Sequence, residues 1–177
     1  GYRGFNMFNP RKYAVSIFSS LLGGGMSSRL FRKIREDAGL AYTVQSYGTA
    51  YRDAGIFCIY TALAPKSEKE CLERIRKELD AVKRDGFTDE EIARAKEQLK
   101  AGIIMDLENT ASRMKFLARH EIYGGGEQNT DEIVKKVDAV TAADVQAVAN
   151  ELIDHENVSV SVVGKARDES FYTGYFS

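Results

Sequence analysis

Histidine and cysteine are scarce in this sequence, which limits the metal and disulfide chemistry open to it. The 177 residues include two cysteines and two histidines. Cys58 and Cys71 do not form a CxxC motif and are too few for a disulfide framework, so we expect two reduced thiols. His120 and His155 have no second histidine four residues away, which excludes a helical zinc-binding pair. We therefore expect this chain to bind no metal by itself.

Long hydrophobic runs and an excess of charge of one sign are also missing. The chain has 25 Lys and Arg residues against 26 Asp and Glu residues, and a formal net charge of −1. A nucleic-acid-binding domain usually has a basic excess, so we expect no nucleic-acid partner. No apolar stretch approaches the roughly 20 residues of a membrane span, and no signal-peptide pattern follows Gly1. We expect no membrane association and a cytoplasmic location.

Hydrophobic residues make up 44% of the chain, and their spacing predicts many helices and few strands. Strands are expected at residues 40–49, 55–63 and 158–162, with residues 1–8 adding one more. In the first of these, Tyr42, Val44 and Ser46 are expected to share a face. The fold class is therefore α+β, a single antiparallel or mixed sheet with several helices packed mainly on one face. We expect one domain over residues 1–164 and a tail of unassigned structure over residues 165–177.

One apolar stripe is longer than a usual helix. It runs over residues 92–118 and includes Ile103 and Leu107 as expected core residues. Asn109 offers a cap, so we predict that one helix ends and a second begins at Asn109-Thr110. The second helix is expected to end at the glycines of residues 124–126.

Arg35 and Tyr42 are the candidate functional pair. Arg35 is predicted late on a short helix that ends near Gly39, and Tyr42 at the start of the following strand. A reversal from helix to strand can bring these side chains together, where they would offer hydrogen-bond donors without a strong base. Such a pair suits a carbonyl oxygen or a peptide backbone. The alternative is a surface ion pair of Arg35 with Glu36 or Asp37, beside a half-buried Tyr42.

Three consecutive glycines, at residues 23–25, precede the helix that carries Arg35. A glycine-rich loop before a helix could in principle cradle a phosphate. This one lacks the Gly-Lys-Ser/Thr of a P-loop and follows a helix rather than a strand. The run by itself favours a flexible connection between helices.

Several motifs together resemble those of the pitrilysin/insulinase (M16) metallopeptidases. The most specific is LGGGMSSRLF at residues 22–31, continued by IRE at 34–36 and GLAY at 39–42. Further matches are GFT at 86–88, EE at 90–91, AK at 95–96, VTA at 140–142 and DV at 144–145. The resemblance covers residues 5–164, nearly the whole chain.

This resemblance implies one half of a two-half enzyme. In the family, one half binds zinc through an HxxEH motif and a distal glutamate, and the other half supplies an arginine and a tyrosine, seven residues apart, that help to bind substrate. This sequence has no HxxEH, so it is similar to the second, C-terminal half. Arg35 and Tyr42 match the family pair. The resemblance also implies that the first strand of the domain is truncated.

The implied function is that of the C-terminal half of a zinc-dependent endopeptidase, which closes a chamber around peptide substrates and is inactive alone. Zinc would be held by an N-terminal half, and this chain would hold no cofactor. The implied partners are that N-terminal half and a peptide substrate, and a homodimer is left open. The alternatives are a non-catalytic partner subunit, of the processing-peptidase or respiratory core-protein type, and a scaffold unrelated to proteolysis. The matching Arg35/Tyr42 pair favours the peptidase.

Overall fold

The sheet is small and antiparallel in the computed structural model, which describes residues 1–124 and 129–176. Its strands are β1 (Tyr2–Gly4), β2 (Ala41–Ala50) and β3 (Gly55–Leu63), in the order β1-β3-β2. β2 and β3 form a hairpin, which is closed by a hydrogen bond from the Tyr51 N–H to the Ala54 carbonyl at 2.8 Å. The predicted α+β class, the strands expected at residues 40–49 and 55–63 and the additional N-terminal strand are confirmed.

Helices make up most of the described residues. They are α1 (Lys12–Gly23), α2 (Glu68–Asp85), α3 (Asp89–Glu108), α4 (Thr110–Tyr123), α5 (Thr130–Asp138), α6 (Ala142–Leu152) and α7 (Glu169–Thr173), with a π-helical turn at Phe31–Glu36. Within the described ranges, no helix combines the length and the apolar character needed to cross a membrane.

The core lies between one face of the sheet and the helices. Phe18 of α1 is fully buried, and its ring centre is 5.2 Å from that of Phe57 on β3. Further helices add fully buried residues behind α1, namely Leu79, Val137, Val148 and Leu152. The other face of the sheet leaves Tyr47 and Tyr60 43% and 48% exposed. The helices therefore cover one face of the sheet, as the pattern predicts.

The first glycine of the three-glycine run allows α1 to approach β2 closely. A Cβ on Gly23 would lie 2.8 Å from Ser46 Oγ and closer still to the Ser46 nitrogen. At the same place, Ser46 Oγ donates to the Ser19 carbonyl at 2.9 Å, and Ser19 Oγ donates to the Ser46 carbonyl at 3.2 Å. Gly25, in contrast, has no atom within 4 Å of where its Cβ would lie. Gly23 is thus a packing residue rather than part of a flexible connection.

The break predicted in the long apolar stripe is confirmed. α3 ends at Glu108, and the Asn109 side chain caps α4 by accepting from the Ala111 N–H at 2.9 Å. α4 ends at Tyr123, followed by Gly124 at φ +65°. The remaining two glycines of the predicted helix end, at residues 125 and 126, lie outside the described residues.

The expectation that this stripe is buried along its whole length is wrong. Ile92 and Ala95 at the start of α3 are buried, whereas Ile103 and Leu107 are half-buried. The physical reason is that the neighbours of α3 are α1, α4 and α5, and they cover only the first turns of α3 closely enough to bury them. α4 contributes no buried residue, so these turns have solvent on their other side.

The prediction of a strand at residues 158–162 is also wrong, because the structure has no strand in this described segment. Ser159 exchanges two backbone hydrogen bonds with Gly1, at 2.7 and 2.9 Å. Beyond it, Val160 and Val162 stay 44% and 41% exposed. A strand needs a neighbouring backbone along its length, and the described residues provide one only at Gly1.

Residues 165–176, which the sequence left unassigned, pack on α2. Tyr172 of α7 is buried, and its hydroxyl donates to Glu68 at 2.8 Å. Arg76 Nη1 donates to the Tyr175 carbonyl at 2.8 Å. The domain boundary at residue 164 stays a prediction.

Candidate functional site

The reversal from the π-helical turn into β2 positions the candidate pair. Leu30 and Ile34 are fully buried and fix this helix against the core, which leaves Arg35 facing solvent. Gly39 has φ +60°, a left-handed conformation that glycine adopts without strain, and its N–H donates to the Arg35 carbonyl at 3.2 Å. The chain then enters β2 at Ala41. The helix end expected near Gly39 is confirmed.

The Arg35 and Tyr42 side chains lie together in the structure. The guanidinium carbon of Arg35 is 5.6 Å from the centre of the Tyr42 ring and 4.9 Å from the centre of the Phe31 ring. These are cation–π contacts, which hold a guanidinium through the rings without using its N–H donors. In the described part of the chain, no carboxylate pairs with Arg35, so the considered ion pair with Glu36 or Asp37 does not form there.

Tyr42 does not share a face with Val44 and Ser46, and that expectation is wrong. The pairing register of β2 with β3 shifts between Ala41 and Thr43, which makes Tyr42 the extra residue of a β-bulge. Tyr42 is therefore 81% exposed, while Val44 and Ser46 are buried. Bulges often redirect a side chain beside a functional site. Within the described residues, the Tyr42 hydroxyl has no hydrogen-bond partner.

A partly buried ion-pair network holds the start of the helix that carries Arg35. Arg29 Nε and Nη2 donate to the two carboxylate oxygens of Glu91, at 3.0 and 2.9 Å. Arg29 Nη2 also donates to the Gly86 carbonyl at 3.1 Å, and Arg29 Nη1 lies 3.5 Å from the buried Glu78. The hydrogen bonds from Arg29 lower the pKa of Glu91 to about 2. Arg29 and Glu91 both fall in the quoted motifs, but their pairing across 62 positions was not predicted.

The described residues do not fit a zinc site. His155 Nε2 lies 3.2 Å from Asp80 Oδ1, and His155 Nδ1 lies 3.5 Å from the Tyr2 hydroxyl, so both ring nitrogens have partners. Burial, followed by the charge of Arg76, lowers the pKa of His155. The other histidine, His120, lies on α4, and no three His, Cys, Asp or Glu residues in the described ranges come together around a metal position. We assign no reaction step to a metal held by this chain.

The cysteines do not form a reactive site. Both are free thiols, Cys58 half-buried and Cys71 buried. The Cys71 sulfur lies 3.9 Å from Thr61 Oγ1, and burial raises the pKa of the Cys71 thiol. A thiol with a raised pKa is a poor nucleophile, so Cys71 is a core residue.

Comparison with known proteins gives matches over most of the chain. A family model described as the peptidase M16 inactive domain matches residues 1–99. An uncharacterized zinc protease of Streptomyces coelicolor is 37% identical, and the match covers 96% of this chain and 37% of that protein. The chain thus spans little more than a third of the length of the curated relatives it matches.

Solved structures share the fold. The crystal structure of a peptidase M16 inactive domain from Pseudomonas fluorescens superposes with a TM-score of 0.76 at 25% identity, covering 85% of this chain and 36% of that one. A chain of complex III2 from Candida albicans superposes with a TM-score of 0.75 at 20% identity, covering 87% of this chain and 39% of that one. At 20% identity, this second likeness shows the fold alone.

Proposed function

Because this chain belongs to the peptidase M16 family and matches the model of its inactive domain, we propose that it is the non-zinc half of a zinc-dependent peptidase. In this proposal, Arg35 and Tyr42 bind the peptide substrate. The zinc belongs to an N-terminal half of the longer protein, since the described residues here do not fit a metal site. The zinc protease relative, of which this chain covers 37%, is long enough to include such a half.

The contact between Arg35 and Tyr42 carries the proposal. The Arg35 guanidinium contacts two aromatic rings, which favour its position while its N–H donors stay available. A guanidinium offers five N–H donors in a planar fork, and the Tyr42 hydroxyl adds one more. Donors held in advance at an exposed position suit the carbonyl oxygens of an extended peptide, which accept hydrogen bonds and carry no charge.

The chemistry open to this pair is binding and charge stabilisation. Neither side chain supplies a strong base, because a guanidinium has N–H donors and no acceptor and a phenol hydroxyl is mainly a donor to a carbonyl. The pair therefore cannot activate water. Donors aimed at a carbonyl oxygen contribute most when that oxygen gains negative charge during attack. Activation of the attacking water is left to groups outside this chain.

A second candidate function is a non-catalytic M16-like partner or structural subunit. The fold shared with a chain of complex III2 is compatible with it, although that likeness extends to the fold alone. The two candidates differ in one respect, which is whether a zinc-binding half acts together with this chain on a peptide.

Cleavage of a fluorogenic ten-residue peptide by the full-length protein tests the proposal, with zinc content measured on the same preparation. We expect cleavage that a chelator abolishes and added zinc restores, and no cleavage by the 177-residue chain alone. Full-length protein that holds no zinc and cleaves no peptide would support the non-catalytic subunit. Cleavage by the 177-residue chain alone would contradict both candidates.

A further inference from the structure

The face of the β2–β3 hairpin that points away from the helices is uncharged. Residues 43–49 and 55–62 include no Asp, Glu, Lys or Arg, although charged residues make up 29% of the chain. Val44, Ser46 and Phe57 are buried on the opposite face, and this fixes which side chains point outward. We call this surface the outer face, and it is formed by Thr43, Gln45, Tyr47, Thr49, Ile56, Cys58, Tyr60 and Ala62.

The large apolar side chains of the outer face form one cluster. Tyr47 lies opposite Cys58 in the strand register, so Tyr60 and Ile56 are its two diagonal neighbours on β3. Tyr47, Tyr60 and Ile56 are 43%, 48% and 41% exposed. Residues 1–124 and 129–176 therefore leave this cluster open to solvent. Contiguous exposed apolar surface without charge marks a binding surface.

The outer face is continuous with the Arg35/Tyr42 pair. The β-bulge turns Tyr42 away from the buried face, so Tyr42 lies where the outer face begins on β2. Tyr47 follows five positions later, roughly 17 Å farther along an extended strand. An extended peptide that is bound at the pair therefore reaches Tyr47 with about five residues.

The composition of the outer face indicates what it binds. A tyrosine ring offers a large apolar surface with few rotatable bonds, and its hydroxyl stays hydrated at the rim of a contact. A lysine or glutamate brought onto this face would lose water without meeting an opposite charge in residues 43–49 or 55–62. On β1, Arg3 lies opposite Ile56 and limits the uncharged area at that edge. The outer face therefore suits large apolar side chains.

We propose that the outer face selects the peptide substrate. Tyr47, Tyr60 and Ile56 contact large apolar side chains that lie about five residues from the carbonyl bound by the Arg35/Tyr42 pair. This inference rests on the function proposed above, since it needs a peptide at that pair. The pair binds the backbone and so accepts any sequence, whereas the outer face distinguishes apolar from charged side chains. The substrate class is thus extended peptides rich in large apolar residues.

Binding of three fluorescein-labelled ten-residue peptides to the chelator-treated full-length protein tests this inference without cleavage. The peptides alternate threonine with leucine, with lysine or with glutamate. Fluorescence anisotropy should show the leucine peptide binding at least about tenfold more tightly than either charged peptide. Tyr47→Lys and Tyr60→Lys should remove this preference and favour the glutamate peptide. Tyr123→Lys, at an exposed tyrosine on α4, is the matched control and should keep the preference for leucine.

Three results would overturn the proposal. The first is equal affinity of the wild type for the three peptides. The second is wild-type affinity in Arg35→Ala, which should instead weaken binding of all three peptides by a similar factor if the pair and the outer face hold the same peptide. The third is a lower melting temperature of Tyr47→Lys in the full-length protein but not in the 177-residue chain, which would show that another part of the longer protein covers the outer face.

Peptidase assays on the same three peptides separate this inference from the function on which it rests. A zinc-loaded full-length protein that binds the leucine peptide selectively but cleaves none of the three contradicts the peptidase and supports a peptide-selecting outer face. A protein that cleaves all three with equal kcat/KM supports the peptidase and contradicts selection by the outer face.

Discussion

Arg29 holds Glu91 with two guanidinium nitrogens, at 3.0 and 2.9 Å, although the two residues are 62 positions apart in the sequence. Arg29 lies two positions before the π-helical turn that carries Arg35, and Glu91 lies in the first turn of α3. The pair therefore joins the candidate site to the corner between α2 and α3. Together with the buried Leu30 and Ile34, this ion pair attaches the segment that carries Arg35 to the rest of the domain.

The Arg29–Glu91 pair should make the free energy of unfolding depend on pH in the acidic range. Arg29 lowers the pKa of Glu91 from 4.5 to about 2, so this stabilisation is complete above pH 4.5 and is lost as pH falls toward 2. Glu91→Gln should lower the free energy of unfolding by about 1.5–3 kcal/mol at neutral pH. Urea titrations should show that the difference in unfolding free energy between the wild type and Glu91→Gln shrinks as the pH falls from 4.5 toward 2. Glu90→Gln, at an exposed neighbour, is the control, and a difference independent of pH would contradict the prediction.

Tyr42→Phe should reduce peptide hydrolysis by the full-length protein. It removes the hydroxyl and keeps the ring that contacts Arg35, so zinc content and melting temperature should stay near those of the wild type. Loss of one donor to a developing oxyanion typically lowers the rate about 100- to 1000-fold. The measurement is kcat/KM, with Tyr51→Phe at the other end of the hairpin as the control. Wild-type kcat/KM in Tyr42→Phe would exclude the hydroxyl from the mechanism.

Arg35→Lys should retain only part of the peptidase activity of the wild type, and Arg35→Ala should retain less. Lysine keeps the positive charge but lacks the planar fork of donors and its stacking on aromatic rings. We expect a kcat/KM between those of the alanine variant and the wild type, and Arg32→Lys on the same helix should have no effect. If the activity of the variants follows their melting temperatures, the pair has a structural role instead.

Gly23→Ala should destabilise the fold, because the added Cβ would overlap the backbone of Ser46. Overpacking of this kind typically lowers the free energy of unfolding by about 1–3 kcal/mol. Gly25→Ala is a matched control, since nothing lies within 4 Å of its Cβ position. Denaturant titration of the two variants compares them, and equal stability would show that α1 moves away from β2 without penalty.

Leu79→Ala and Leu107→Ala should differ in stability. Leu79 is fully buried, so its truncation should lower the free energy of unfolding by about 2–5 kcal/mol. Leu107 is half-buried on the outer part of α3 and should lose less than half of that amount. Thermal unfolding of both variants gives the comparison. A larger loss for Leu107 would mean that α3 and α4 pack more tightly on the core than the structure indicates.

Short sequence patterns predicted those features of this protein that are formed by residues close together in the sequence. Gly39 ends the helix before β2, because a left-handed residue is needed there. Thr88 and Glu91, three positions apart, form a capping box at the start of α3, and Asn109 caps α4 as predicted. Alternating apolar residues located the β2–β3 hairpin. Each of these features depends on residues within a few positions of one another.

The family, the α+β class and the proximity of Arg35 to Tyr42 were accessible from the sequence by itself. The tertiary structure decided the burial of Leu107, the outward turn of Tyr42, the Arg29–Glu91 pair and the missing strand at residues 158–162. Periodicity shows which face of an element is apolar, but burial requires another element to cover that face. A strand likewise needs a neighbouring backbone, and for residues 160–163 the described chain does not provide one.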